Sequence, residues 1–157
     1  MSAHHEHNKS HTQGRMPTLE AILKISMAAE FLRQRVDKAC APLQINGGQY
    51  AILRLLKRAY PNGMSRSEIV KHLIEKTNDV TRQIDGLVEK GYAERIRVEE
   101  DRRLSLAKIT ESGIAALMQI DPLFHTMLKE ISASVSEDEC MQLSNLCEKI
   151  YSSSHSE

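Results

Sequence analysis

Apolar residues recur at three- and four-residue steps through most of this chain and change to a two-residue step over one short stretch. Leu19, Ile22, Leu23, Ser26, Ala29, Leu32, Val36 and Cys40 follow the helical spacing. They predict a first helix that opens at Thr18, a candidate cap, and is stopped by Pro42. Asn46 and Gln49 have the spacing of a reciprocal capping box, in which each side chain accepts from the other residue's backbone N–H. The second helix they open has a broad apolar face of Tyr50, Ile52, Leu53, Leu55 and Leu56, and Pro61-Asn62-Gly63 marks a turn after it. Ser65 and Glu68 repeat the capping-box spacing and open a short third helix with Ile69, Val70 and Leu73 inward.

A fourth helix is predicted from Thr77, its candidate cap, to Gly91, a residue suited to the position just past a helix end. Val80, Ile84, Leu87 and Val88 share one side. At about 100° per residue the opposite side carries Asn78, Arg82, Asp85, Gly86 and Glu89. From Tyr92 the period falls to two: Glu94, Ile96 and Val98 alternate with Arg95 and Arg97, and Leu104, Leu106 and Lys108 alternate with Ser105, Ala107 and Ile109. Between these strands Glu99-Glu100-Asp101-Arg102 has no apolar residue to pack, the composition of an exposed ribbon tip. Thr110 opens a long fifth helix, which Pro122 is expected to kink or divide. Ser136 with Glu139 caps a last helix bearing a narrow stripe of Cys140, Leu143, Cys147 and Ile150.

Short helix, helix and two-stranded ribbon in that order is the layout of a winged helix-turn-helix. There the helix can enter a major groove while the ribbon tip reaches the adjacent minor groove. The predicted fold is therefore mainly α with a small β-wing: a winged helix-turn-helix over residues 46–110, flanked by dimerisation helices at 18–42 and 111–151. Residues 1–17 and 152–157 read as disordered tails. The outer helices carry more apolar surface than so small a wing can cover, which favours a homodimer.

Charge refines this picture only a little. The 157 residues have 21 Lys/Arg and 21 Asp/Glu, but residues 54–108 hold 13 Lys/Arg against 9 Asp/Glu, so the cationic excess lies where DNA would be met. No apolar run nears the roughly 20 residues a membrane span requires, and the polar N-terminus lacks a secretory core; a cytoplasmic location is expected. The three cysteines, Cys40, Cys140 and Cys147, have no metal-ligand spacing, sit on apolar helix sides, and are expected as reduced thiols packed in the core. Met27, Met118 and Met127 are assigned to core or to a ligand cavity, with core favoured. The absence of a Gly-rich phosphate loop, a nucleophile elbow and a His-x-x-x-His pair gives no basis for an enzyme, and no cofactor or metal is assigned.

Several strings resemble the MarR family of winged-helix transcription regulators. Asn46-Gly47-Gly48-Gln49 through Leu56 is similar to that family's capped second helix. Asp79-Val80-Thr81-Arg82 with Ile84-Asp85-Gly86-Leu87-Val88-Glu89-Lys90-Gly91 is similar to its recognition helix, and Asp101-Arg102-Arg103 through Ile109-Thr110-Glu111-Ser112-Gly113 to its wing and fifth helix. The resemblance covers about residues 18–151. It implies a homodimer on a pseudo-palindromic operator of double-stranded DNA, usually as a repressor, released by a small-molecule effector or an oxidant. It also implies that Arg103 inserts into the minor groove, that Asp101 orients it, and that Arg102 approaches phosphate. Gly86 departs from the family's usual longer polar residue, and the loop before Thr77 lacks the common serine-rich form.

The candidate DNA-binding residues are Asn78, Thr81, Arg82, Gly86, Asp101, Arg102 and Arg103, with Arg66, Lys71 and His72 as phosphate contacts. Arg82 offers a planar fork of donors for guanine or phosphate; otherwise it pairs with Asp79 or Asp85. Gly86 either permits close approach of DNA or is simply tolerated at a cost of about 1 kcal/mol. Two rival functions remain at this stage. One is a winged-helix protein-interaction module. The other is a metal or redox sensor using a cysteine or the tail histidines His4, His5, His7 and His11, where Ser2-Ala3-His4 after loss of Met1 would chelate Cu²⁺ or Ni²⁺.

Overall fold

The computed structural model describes residues 16–73, 79–97 and 105–152. The chain forms two compact units, Met1–Gln34 and Arg35–Glu157. Helix α1 runs Pro17–Cys40. Its start is set by Pro17, whose missing N–H and fixed φ suit the first helical position, and Thr18 lies inside the helix rather than capping it. In the first unit Leu19, Ile22, Leu23 and Met27 are exposed. There the Glu30 carboxylate accepts from Arg33 at 2.8 and 2.9 Å and from Gln34 at 2.7 Å, which holds its pKa below the usual value.

The second unit contains the end of α1, a short 3-10 turn at Ala41–Leu43, α2 (Gly47–Arg58), β1 (Met64–Ser65), α3 (Arg66–His72), α4 (Val80–Glu89), β2 (Ala93–Arg97), β3 (Ser105–Ile109), α5 (Glu111–Ser132) and α6 (Glu137–Ser152). Pro42 lies in the 3-10 turn, as a helix stop should. Asp37 Oδ1 accepts from Gly47 N at 2.8 Å and so joins the end of α1 to the start of α2. Both expected capping boxes form around α2 and α3: Asn46 with Gln49, and Ser65 with Glu68. The same exchange links Ser136 and Glu139 ahead of α6.

Helix α4 begins at Val80, with Asp79 at the cap position and no side-chain cap bond, so its start differs from the Thr77 start predicted; Thr77 itself lies outside the described residues. Its end follows the sequence. Gly91 adopts φ 74°, Tyr92 N donates to Leu87 O at 2.9 Å and Gly91 N to Val88 O at 2.9 Å, the two bonds of a Schellman stop. The ribbon is wider than predicted: β1 adds a third strand, giving the antiparallel order β1-β3-β2. Met64 pairs with Ala107, and Glu94 pairs with Lys108 across β2 and β3. Two residues carry no periodicity, and β1 is recognisable only once β3 lies beside it. Helix α5 continues through Pro122 without dividing.

The core gathers Cys40, Tyr50, Ile52, Leu53, Leu56, Ile69, Val80, Ile84, Leu87, Ala107, Ile109, Leu117 and Ile120. Beside it the Tyr50 hydroxyl donates to Asp121 at 2.9 Å, and the Arg54 guanidinium stands 5.8 Å from both the Tyr50 and Phe124 rings. Burial is the main reason the Tyr50 phenol is pushed up to about 12. Met127 is buried as expected, whereas Met27 and Met118 are exposed. Among the described residues no helix is long and apolar enough to cross a membrane.

Gly91→Ala places a Cβ in open space, so only the left-handed backbone is penalised. The expected loss is about 1 kcal/mol, with Gly91→Asn losing less; equal melting temperatures for the two variants would contradict this origin. Hydrogen bonds from the Ser65 side chain and then its backbone hold the Glu68 carboxyl below its ordinary value of 4.5. Its contribution is therefore complete above pH 4.5 and is lost as pH falls through the lower folded value. Glu68→Gln should keep the cap at neutral pH and flatten the acid limb of the melting curve; an unaltered limb counts against the assignment.

Candidate nucleic-acid interface

Helix α4 has ten residues, and its apolar spacing decides which side can reach a ligand. Val80, Ile84 and Leu87 are buried, while Thr81, Arg82, Asp85 and Glu89 are exposed. Arg82 makes no ion pair with a described residue. Asp85, one of the acids that would make it an ordinary surface arginine, is engaged elsewhere. Arg95 of β2 donates to Asp85 Oδ1 from Nη2 at 2.6 Å and from Nε at 3.2 Å. Both side chains are well exposed, at 36% and 58%, so this pair adds little stability. Its consequence is geometric: it ties the base of the ribbon to α4 and leaves the Arg82 guanidinium unshared with Asp85.

Two sequence candidates meet at the other end of the same helix. Arg66, the first residue of α3, donates through Nε to Thr81 Oγ1 at 2.8 Å. One of its five donors is used, and four remain for another ligand. Ser65 sets this position, because it ends β1 and caps α3, so Arg66 follows immediately on a fixed turn. Arg66, Thr81 and Arg82 thus form an exposed edge where α3 and α4 begin. Lys71 and His72 are exposed in the last turn of α3, and no described contact joins them to that edge. Asn78, Asp101, Arg102 and Arg103 lie outside the described residues.

Gly86 lies close to α2: a Cβ there would stand 2.7 Å from Gln49 Nε2. The helical wheel placed Gly86 opposite Val80 and Leu87, but a second helix crosses that side. Arg95, Gln49 and Gln83 were missed as residues that seat α4. Strand alternation points to an outward Arg95, but its acid partner ten residues earlier is identifiable only from the fold.

The cysteines divide. Cys40 is buried, and burial, followed by the Asp37 charge, pushes its thiol up to about 11, which suppresses the reactive thiolate. Cys140 is exposed and Cys147 half-buried, contrary to the core packing expected, because no described residue buries this part of α6. Among the described residues no group of three His, Cys, Asp or Glu side chains is placed to hold a metal ion.

With this geometry in view, residues 45–105 match the model of the MarR family. The chain is similar to the HTH-type transcriptional regulator PapX of Escherichia coli, 29% identical over 106 residues, a stretch covering 68% of this chain and 65% of PapX, just under two thirds of its length. A mutant of E. coli MarR complexed with operator DNA superposes with a TM-score of 0.73 at 26% identity, covering 85% of this chain and 95% of that one. The S. aureus MepR–DNA complex gives a TM-score of 0.74 at 23% identity, covering 83% and 96%, which is a likeness of fold.

Proposed function

We propose that the chain, whose residues 45–105 match the MarR family model, is a MarR-type, sequence-specific DNA-binding transcription regulator, a homodimeric repressor released from a pseudo-palindromic operator by a small molecule or an oxidant. The observation that carries the proposal is the free cationic edge of α4. Arg82 is exposed beside the Arg66–Thr81 pair, and the ribbon is tied to the same helix through Arg95 and Asp85. An edge of this kind suits a major groove, with Arg82 reading base edges and Arg66 and Lys71 neutralising phosphates. Asn78, Thr81 and His72 add further contacts. Arg103, oriented by Asp101, enters the minor groove at the ribbon tip while Arg102 approaches phosphate.

The relatives add independent support, since the operator-bound MarR shares this fold at 26% identity. Dimerisation is supported by apolar side chains left in solvent. Leu123 and Leu128 of α5 and Met141 and Leu146 of α6 are each more than 40% exposed, as are Leu19 and Leu23 of α1 in the first unit. Exposed apolar surface of this extent marks an association surface. For release by an oxidant, the exposed Cys140 is the thiol met first.

Selection of bound sequences from random duplex DNA is expected to recover an inverted repeat whose half-sites lie about one helical turn apart. A pool without enrichment would remove the DNA-binding function, and a solitary half-site would remove the dimer. Binding to the recovered duplex should weaken steeply with salt through counterion release. Arg103→Ala should weaken it at least tenfold while the melting temperature and the dimer persist. Arg82→Ala should change which bases are preferred as well as the affinity; a uniform loss across sequences would reassign Arg82 to phosphate.

A further inference from the structure

Where α2 crosses α4, two glutamines and two glycines interlock. Gln49 is 8% exposed, and its amide serves two elements at once. Its Oε1 accepts from Asn46 N at 3.2 Å and closes the α2 capping box, while its Nε2 donates to Gln83 O of α4 at 3.4 Å. That amide lies over Gly86, where a Cβ would stand 2.7 Å from Nε2. Gln83 reciprocates. Its amide lies over Gly48 of α2, with Oε1 2.5 Å and Nε2 3.1 Å from the place a Cβ would take. Gln83 Oε1 is buried and has no hydrogen-bond partner among the described residues.

Neither glycine is explained by backbone conformation, since both sit in helices with ordinary φ. Alanine is the better helix former at either position. The glycines are explained by space: each admits the glutamine of the facing helix. A buried acceptor without a partner is unfavourable, so the arrangement is not one that stability alone would select. Arg82 adjoins Gln83 in sequence, so a shift of the Gln83 backbone, whose carbonyl Gln49 holds, also carries Arg82.

We propose that Gln49 and Gln83, interlocked over Gly86 and Gly48, are positioning residues that set how far α4 projects from α2 and hence the placement of Arg82 and Thr81 against DNA. This role rests on the DNA-binding function proposed above. Gln49 gives way to a methyl group on residue 86 only by moving the amide whose oxygen closes the α2 cap and whose nitrogen holds the Gln83 carbonyl. The added methyl therefore pushes α4 outward or rolls it, and a group aimed at base edges loses its registry while phosphate contacts adapt.

The test compares wild type with Gly86→Ala, Gln49→Ala and the double variant, on the duplex recovered by selection and on a scrambled duplex of equal length. Gly86→Ala is expected to bind the selected duplex at least tenfold more weakly, to bind the scrambled duplex within twofold of wild type, and to keep a single cooperative melting transition. Gln49→Ala in the Gly86→Ala background removes the amide that the methyl meets. It should recover at least threefold of the lost affinity even though the α2 cap is gone, a non-additivity that a purely structural role would not give. Equal binding of the selected duplex by wild type and Gly86→Ala, or strictly additive losses in the double variant, would overturn the positioning role while leaving DNA binding intact. If wild type itself prefers no duplex, both proposals fall together.

Discussion

Apolar burial where α2, α3 and α4 meet is the interaction on which the rest of the structure depends. Ile52, Leu53, Leu56, Ile69, Val80, Ile84 and Leu87 form one cluster, none of them more than 1% exposed. Each such side chain contributes about 1.5–3 kcal/mol, against about 0–1 kcal/mol for an exposed ion pair such as Arg95–Asp85. The core therefore decides that α4 is held and which side faces outward. Polar contacts decide only its finer placement.

That division of labour explains why the polar contacts around α4 are numerous and individually weak. Arg66 meets Thr81, Arg95 meets Asp85, and Gln49 meets the Gln83 carbonyl, each joining a different neighbour to the same ten-residue helix. A helix this short is marginal by itself in water, so its orientation comes from what surrounds it. The ribbon is anchored likewise: β3 is the middle strand, and β1, which ends in the α3 cap residue Ser65, pairs with it. One serine thus connects sheet edge, helix start and the position of Arg66.

Local features were legible in the chain because their causes are local. The boxes at Asn46, Ser65 and Ser136 each involve residues three apart, and the Gly91 stop involves one turn of helix. Among the site residues, the exposure of Arg82 followed from the spacing of Val80, Ile84 and Leu87. The closeness of Gly86 to Gln49 of α2 did not follow. A helical wheel separates polar from apolar sides but cannot say that a second helix occupies part of the polar one. Cys140 failed for the opposite reason: a stripe at helical spacing marks a side that wants cover, and among the described residues nothing covers Cys140.

The order of residues alone determined the helices, their caps and stops, the change to a two-residue period, and the family resemblance, since each depends on neighbours a few positions apart. Only the tertiary structure decided that β1 joins the sheet, that Arg95 and not Arg82 holds Asp85, and that Gly86 makes room for Gln49. Those outcomes pair residues ten to more than forty positions apart, and pairing at such range is fixed by how the buried faces pack rather than by any pattern along the chain.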